Sequence, residues 1–461
     1  MKKIKTLCMI LALAAVVASC KKDDETTITL YGDAAITGFT LGTMNRYVDG
    51  VKSTYAGSVY KFHIDQVNHR IFNTDSLPVG TDKAHVLCTV STMNNGSVWI
   101  ESLSDPNMVE YYSAYDSIDF TTDRQFEVYA SDGSGYSSYT VSLNVHKQEG
   151  EEFVWKQAAT NNDIAAMTEL KAVSNKGVKY VFGNTGGTTR ILATTDGTTW
   201  TFPTPNINTT FAADAWKNVT VKKDTIFMLN NNMLLKCTDG TDWEQITIST
   251  PGLNLKQLLG ASTGELYALA DDNMLWRSKD SGCNWQQEET DESAALLPVQ
   301  DIAMVSYPMQ LADSTDQVVM AGNRSTTDYP ADEIAMVWRK IADYQKYAPQ
   351  GHWTYMERTD HDKYALPRMQ DISLWRYDGA ILALGGAGIG GSTVSAYSKL
   401  YQSRDNGITW KENATYVMPA DFDSSATAVT VAVDEQNYIW LFAAGTGQVW
   451  RGRLNRLGWD E

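Results

Sequence analysis

The side chains best suited to ligand recognition fall between residues 324 and 376, where arginines are interspersed with aromatic residues and a histidine. Arginine beside tyrosine or tryptophan suits an acidic ligand or a sugar, because the guanidinium group forms paired hydrogen bonds with carboxylates. A basic region would also stand out in a chain with this acidic composition. The candidate ligand-binding residues are Arg324, Tyr329, His361, Tyr364, Arg368, Trp375 and Arg376.

Two short motifs resemble cofactor or metal sites, and for both we favour a solvated loop. Asp360, His361 and Asp362 offer hard ligands, but three consecutive residues rarely all face one ion. Residues 386–391 contain G-x-G-x-x-G, but the next element is predicted to be a strand, so no helix N-terminus would receive a phosphate. We therefore expect neither a metal nor a cofactor.

The segment that must position these residues repeats itself from residue 153 onward. Three successive apolar runs with strand character occur six times, separated by turn residues. The second strand of each set is predicted at 178–182, 225–229, 265–269, 317–321, 380–384 and 438–442. A tryptophan opens a fourth, outer strand in five sets: Trp200, Trp243, Trp285, Trp353 and Trp410. Most of the tryptophans are therefore expected to pack within the repeats.

Four of the sets end in a motif of small residues, aspartate, glycine and tryptophan. Residues 278–285 and 403–410 read Ser-x-Asp-x-Gly-x-x-Trp, and residues 194–200 and 237–243 lack one residue between aspartate and glycine. The pattern resembles the Asp-box of BNR repeats in sialidase-like β-propellers. This resemblance implies a structural role, in a hairpin away from the ligand face, for Asp196, Asp239, Asp280 and Asp405.

We therefore predict an all-β chain in which residues 153–461 form a six-bladed β-propeller. The sixth set lacks an outer strand, and the run around Trp155 is expected to supply it and to close the ring without an exposed sheet edge. The longest connections cluster on the face opposite the Asp-boxes, where they favour either a binding site or tolerated insertions. These segments are 286–299, 324–332, 359–370, 385–399 and 417–427.

The resemblance to sialidases does not extend to their catalytic residues. Those enzymes use an arginine triad, a Tyr–Glu nucleophile pair and an acid/base aspartate. The chain has no Arg-Ile-Pro motif, and its first propeller arginine is Arg190 on a loop. A sialidase-like site would require Arg324, Arg368 and Arg376 to share a pocket with a carboxylate. We leave catalysis open and favour binding.

Residues 28–148 predict a separate β domain, followed by a polar linker at 149–152. Strands are expected at 58–64, 84–92 and 124–130, and Asp132-Gly133 lies between two alternating apolar runs, which indicates a hairpin. The pattern resembles the Ig-like β-sandwich at the base of Bacteroides-type surface lipoproteins. A spacer role is favoured, with a sugar-binding module as the alternative.

The first nineteen residues predict a bacterial lipoprotein signal peptide. A basic start precedes an apolar run too short to span a membrane, and Val17-Ala18-Ser19-Cys20 resembles a lipobox, which implies lipidation of Cys20. Residues 20–27 would form the tether. The basic and acidic residues at 21–25 resemble the tag after the lipidated cysteine of surface-exposed lipoproteins. We expect an outer-membrane protein held by its lipid and facing the cell exterior.

The charge of the chain limits its partners. The 461 residues carry a net charge of −17, and removal of residues 1–19 with their three lysines makes it −20. Nucleic acid and anionic membrane surfaces repel such a protein. The combined features resemble an uncharacterised family of Bacteroides-type lipoproteins. The leading hypothesis is a monomeric surface lipoprotein that binds a glycan or a protein without catalysis; a glycoside hydrolase with an atypical site and a scaffold or assembly factor are the alternatives.

Overall fold

The computed structural model describes residues 29–105, 107–309, 314–345, 351–357 and 363–458. The expected signal peptide, Cys20 and the tether lie outside these residues. The chain divides into two compact units, one ending at Glu149 and one beginning at Gly150. Nearly all regular structure in both units is β-strand, as predicted.

The described part of the first unit contains three sheets. The strands are β1 (Ile36–Leu41), β2 (Thr43–Val48), β3 (Val51–Ala56), β4 (Phe62–Asp65), β5 (Arg70–Asn73), β6 (Cys88–Thr92), β7 (Ser97–Glu101), β8 (Val109–Tyr111), β9 (Arg124–Tyr129) and β10 (Tyr136–Ser142). The largest sheet has the strand order β4-β5-β10-β9-β7-β8, and β1-β6 and β2-β3 form two-stranded sheets.

The hairpin predicted around Asp132-Gly133 is present. Strands β9 and β10 are antiparallel, with Phe126 opposite Tyr139, and Gly133 adopts a φ of 75° in the turn. Phe126 and Tyr139 are buried in one apolar core with residues of β1, β5 and β6. Two predicted strands begin later than expected: β4 starts at Phe62, after a 3-10 turn at Gly57–Val59, and β6 starts at Cys88.

The second unit contains six sheets in its described residues. Sheet 1 consists of β12 (Leu170–Asn175), β13 (Val178–Thr185) and β14 (Thr188–Thr194); sheet 2 of β15 (Val219–Lys222), β16 (Thr225–Asn230), β17 (Met233–Cys237) and β18 (Glu244–Ile246); sheet 3 of β19 (Leu255–Ala261), β20 (Leu266–Ala270), β21 (Leu275–Ser278) and β22 (Gln286–Gln287).

The remaining three sheets follow the same antiparallel order. Sheet 4 consists of β23 (Gln300–Pro308), β24 (Thr315–Asn323), β25 (Met336–Asp343) and β26 (Thr354–Tyr355); sheet 5 of β27 (Ser373–Tyr377), β28 (Ala380–Leu384), β29 (Tyr401–Ser403) and β30 (Lys411–Glu412); sheet 6 of β31 (Val429–Val433), β32 (Ile439–Ala443), β33 (Gln448–Leu454) and β11 (Phe153–Thr160). One short helix, α1 (Asn162–Ala165), is capped by the side chain of Asn161.

The first strands of the six sheets contact one another in a cycle, from β12 through β15, β19, β23, β27 and β31 back to β12. Strand β11 pairs antiparallel with β33, and Trp155 lies opposite Gly452. The pairing predicted for the Trp155 strand is therefore present, and it joins the start and the end of this unit in one sheet. The predicted second strands coincide with β13, β16, β20, β24, β28 and β32.

Sheet 1 differs from the expected four-strand pattern. After Trp200 there is a single bridge between Thr201 and Ala193, with no fourth strand. Pro203 and Pro205 follow directly, and proline cannot donate a ladder hydrogen bond. The outer strand therefore ends where the prolines begin.

Tryptophans fill the spaces between neighbouring sheets. Trp338, Trp353, Trp410 and Trp440 are the largest fully buried side chains. Trp353, for example, packs edge-on against Tyr267 of the preceding sheet at 5.7 Å between ring centroids. The abundance of tryptophan thus serves packing within the second unit.

Candidate functional site

The predicted ligand-binding residues do not converge on one pocket in the structure. Arg324 donates to both carboxylate oxygens of Asp332, at 2.9 and 2.7 Å, and its guanidinium group lies 3.6 Å from the ring centroid of Tyr329. The hydrogen bonds from Arg324 to Asp332 raise the pKa of Arg324. Arg324 is therefore already satisfied by protein groups.

Arg368 is completely buried and supports a loop. Its guanidinium group donates to the carbonyl oxygens of Tyr329 at 2.6 Å and Arg324 at 2.7 Å. A Cβ atom on Gly390 would lie 2.6 Å from Nη1 of Arg368, so the glycine leaves room for the arginine. Arg368 orders the backbone around Tyr329 and is not available to a ligand.

The other predicted residues lie elsewhere. Arg376 stacks on Tyr307 at 4.0 Å, and Trp375 is buried in the core between sheets 5 and 6. Tyr364 is 40% exposed and lies beneath the ammonium group of Lys411, 4.5 Å away. His361 lies outside the described residues. The three arginines Arg324, Arg368 and Arg376 consequently do not form the triad that a sialidase-like site would need.

The four aspartates of the repeated motif hold the turns between the third and outer strands. In the short copies, Asp196 accepts hydrogen bonds from the backbone N–H groups of Thr198 and Thr199, and Asp239 does the same two and three residues on. In the long copies, Asp280 and Asp405 accept from the N–H four residues on, at 2.9 and 2.8 Å. The contacts explain why aspartate occupies these positions.

Hydrogen bonding lowers the pKa of each of these aspartates. Burial acts in the opposite direction at Asp280 and Asp405, but the bonds from Asn284 and Ser278, and from Thr409 and Ser403, outweigh it. Backbone donors are the largest cause at Asp196 and Asp239. The charged carboxylates thus act as local turn acceptors.

A cavity at the centre of the ring of first strands is the feature that sequence reasoning missed. Its volume is about 440 Å³, and it is lined by the first strands of all six sheets and the residues leading into them. This size falls within the range of about 300–1,000 Å³ for small-ligand pockets. Its polar lining includes Glu169, Lys171, Lys217, Thr220, Gln257, Gln300, Asp301, Asp371, Ser373 and Thr430.

The basic side of the cavity is formed by two lysines of sheets 1 and 2. Lys171 Nζ donates to the carbonyl oxygen of Lys217 at 3.1 Å, and burial lowers the pKa of Lys171 to about 8. Lys217 forms an ion pair with Asp214 at 3.2 Å. No acidic side chain in the described ranges pairs with Lys171.

The acidic side is formed by two aspartates at the entrances to sheets 4 and 5. Asp301 accepts hydrogen bonds from the backbone N–H of Asp371 at 3.1 Å and from the Asn323 amide at 2.8 Å. The Asp371 carboxylate receives no hydrogen bond from the described residues. Burial, followed by the charges of Asp301 and Glu169, raises the pKa of Asp371 to about 6.

One sequence signal marks this acidic side. The tripeptide Gln-Asp-Ile occurs at 300–302, where β23 begins, and again at 370–372, directly before β27. Both aspartates adopt a left-handed backbone, with φ of 51° and 48°. Within the part of the chain that the structure describes, no group of three metal-ligating side chains is assembled.

Comparisons with known proteins place the chain in a family. Residues 149–461 match the DUF6242 beta propeller domain, and residues 39–143 match the DUF6242 N-terminal domain, a domain of unknown function. No curated protein sequence matches the chain. None of the described helices has the length and apolarity needed to cross a membrane.

Solved structures with similar folds share little sequence with the chain. YCF48 bound to D1 peptide is 18% identical with a TM-score of 0.34, covering 63% of this chain and 78% of its own. Virginiamycin B lyase from Staphylococcus aureus is 12% identical with a TM-score of 0.36, covering 66% and 100%. A Trichoderma reesei enzyme of carbohydrate-active family AA12 is 10% identical with a TM-score of 0.39, covering 66% and 95%. With one family model matching well over half of its length, the chain belongs to the DUF6242 family and carries that family's β-propeller domain.

Proposed function

We propose that the protein is a lipid-anchored lipoprotein of the bacterial outer membrane, facing the cell exterior, whose second unit is a six-bladed propeller with one sheet per blade. The first unit is an Ig-like spacer at residues 28–148, joined by a linker at 149–152. The propeller, residues 153–461, binds a glycan or protein ligand without turning it over. The central cavity is the binding site.

The observation that carries this proposal is a pair of charged groups in the cavity that lack an oppositely charged protein partner. Lys171 and Asp371 line the same cavity, and neither forms an ion pair with an opposite charge among the described residues. Keeping such groups partly desolvated is costly, and groups kept this way are more typical of binding sites than of structural cores. By contrast, Arg324 is paired with Asp332, and Arg368 is buried against backbone carbonyl oxygens.

Binding is tested with the purified full chain on a glycan array and by pull-down of proteins from the culture medium. Ligands found by either route are then measured against Asp371→Asn and Lys171→Met. We expect at least about a tenfold loss of affinity for one of the two variants, corresponding to about 1.4 kcal/mol. Lys236→Met is the control, since Lys236 pairs with Glu244 on the surface of sheet 2. Unchanged binding in both cavity variants would remove the site assignment.

The same measurements separate the alternative functions. Release of sugar from a bound glycan would favour a glycoside hydrolase, and stoichiometric co-purification of a protein without glycan binding would favour a scaffold. Anchoring is tested by Cys20→Ala, which should move the protein from the membrane fraction to the soluble fraction. Cys8→Ala, in the same leader, should leave it in the membrane. Membrane retention of the Cys20 variant would contradict lipidation.

A further inference from the structure

The cavity holds charges of both signs that do not neutralise each other. Lys171 enters from sheet 1, and its only described partner is a backbone carbonyl. Asp301 and Asp371 enter from sheets 4 and 5. Burial lowers the pKa of Lys171, while burial and then the charges of Asp301 and Glu169 raise the pKa of Asp371. Glu169, two residues before Lys171, also lines the cavity. The cavity therefore holds charged groups of both signs, and no ion pair joins Lys171 to an acidic side chain among the described residues.

A ligand with a single charge would pair with the cavity groups of one sign and leave those of the other sign without a counter-charge. An anion beside Lys171 would leave Asp371 and Asp301 facing the ligand unpaired. A cation beside Asp371 would leave the Lys171 ammonium group without a counter-ion. Since an unpaired charge in a desolvated site is unfavourable, the best complement carries both signs.

We propose that the cavity binds a small zwitterion, an amino acid or a short peptide, with its carboxylate at Lys171 and its ammonium group at Asp371 and Asp301. This assignment rests on the part of the proposed function that makes the cavity the binding site, and it replaces the glycan or protein ligand there with a small charged molecule. The volume of about 440 Å³ suits a ligand of one to a few residues and not a folded protein surface. Thr220, Gln257, Gln300 and Ser373 supply further hydrogen-bonding groups along the wall.

The arrangement gives binding a defined pH range. The groups facing Asp371 are Asp301, Glu169 and the hydroxyl of Tyr397, and its carboxylate becomes charged as the pH rises above about 6. Lys171, beside Lys217, loses its charge as the pH rises above about 8. Affinity for a zwitterion should therefore be highest between these values and fall on both sides.

The test is isothermal titration of the full chain with free amino acids, dipeptides and tripeptides, and with their N-acetylated and C-amidated forms. We expect one length class to bind, and each blocked form to bind at least about tenfold more weakly. In Lys171→Met the amidated and free forms should bind equally, and in Asp371→Asn the preference for the free over the acetylated form should shrink, since Asp301 remains. Thermal unfolding checks that both variants fold.

Several outcomes would overturn the zwitterion assignment. Equal binding of free and blocked ligands would do so, as would an affinity that changes in only one direction between pH 5 and pH 9. The pH profile of the unmodified protein keeps the test decisive if a variant fails to fold. If a glycan binds and the cavity variants weaken it, the zwitterion assignment fails and the proposed function stands. If neither variant changes the affinity of any ligand, both the zwitterion assignment and the proposed function of the cavity fail.

Discussion

The carboxylate of Asp301 accepts a hydrogen bond from the backbone N–H of Asp371 at 3.1 Å, which links the starts of the first strands of sheets 4 and 5. The same type of link recurs at two other junctions. Thr430 Oγ1 accepts from Ala172 N at 2.9 Å, and Asn218 Oδ1 accepts from the backbone N–H of Leu258 at 3.2 Å. Side chains of one sheet thus satisfy inward-facing N–H groups of the next.

Removal of the Asp301 acceptor should destabilise the second unit. In Asp301→Leu, the N–H of Asp371 and the fully buried amide of Asn323 would both lose a partner. Leaving a buried polar group unsatisfied costs about 1–3 kcal/mol. Urea unfolding followed by tryptophan fluorescence reports on this unit, because Trp99 is the one tryptophan before residue 150.

Asp301→Asn is the matched control for this prediction. It keeps an oxygen that can accept the hydrogen bond from Asp371, so it should lose less stability than Asp301→Leu. Equal losses in the two variants would show that charge, and not hydrogen-bond acceptance, is what Asp301 contributes.

Substitution in a buried ion network at the junction of sheets 3 and 4 should reduce stability more than substitution of Asp301. Arg277 pairs with Glu265 and Glu288 at 2.6 Å, Lys340 pairs with Glu288, and Trp353 donates to Glu288 at 2.8 Å. Lys340→Met would leave excess negative charge among buried groups. Breaking a buried pair from one side costs about 3–5 kcal/mol, which urea unfolding would measure.

The loss of stability caused by Lys340→Met should become smaller as the pH is lowered. Burial raises the pKa of Glu288 even with Lys340 and Arg277 opposing it, so losing Lys340 raises it further. A carboxyl group with a raised pKa destabilises the fold most when the pH is above that pKa, so the deficit should shrink as the pH falls. Lys236→Met, at an exposed pair with Glu244, should cost less than about 1 kcal/mol. A pH-independent deficit would contradict this account.

The repeating sheets of the second unit could be predicted because their signals are local. The outer strands β18, β22, β26 and β30 each directly follow a tryptophan. The run around Trp155 had no partner in its own neighbourhood, so its pairing with β33 followed from the count of strands. The contact between Asp301 and Asp371 had no such signal, since 70 residues separate them and the ring geometry alone brings them together. For Arg368 the residue type was misleading. Arginine suggested a ligand contact, but in the fold its guanidinium group donates to backbone carbonyl oxygens.

Asp405 should stabilise its turn in a pH-dependent way. It accepts hydrogen bonds from Thr409 N at 2.8 Å and from the hydroxyl groups of Ser403 and Thr409. Asp405→Ala should lower the free energy of unfolding by about 1–3 kcal/mol, measured at neutral pH. Because the folded-state pKa is lowered, the contribution of the charge is present above the unfolded pKa of about 3.9 and is lost as the pH falls through the folded value.

Asp405→Asn separates charge from hydrogen bonding at this turn. It retains an acceptor oxygen, so it should be less destabilising than alanine at pH 7, and its difference from the unmodified protein should disappear in acid. A difference that grows as the pH falls would contradict the lowered pKa.

The glycine of each of the four motif turns packs against the preceding sheet, so substitution of this glycine should be sterically unfavourable. Gly282 has a φ of 102°, and a Cβ atom there would lie 2.3 Å from Cδ2 of Leu234 in sheet 2. Gly282→Ala should therefore combine backbone strain with overpacking, which typically costs about 1–3 kcal/mol. Its midpoint in urea unfolding should fall accordingly.

Gly252→Ala isolates the packing component of that cost. Gly252 also has a positive φ, 71°, but nothing lies within 4 Å of the position that its Cβ would occupy. Both variants carry the backbone penalty of a left-handed alanine, so the difference between them measures the contact with Leu234. Adding Leu234→Ala to Gly282→Ala should recover part of the loss, since the shorter side chain removes the clash. If the two glycine variants are equally destabilised, the turn does not pack tightly against the preceding sheet.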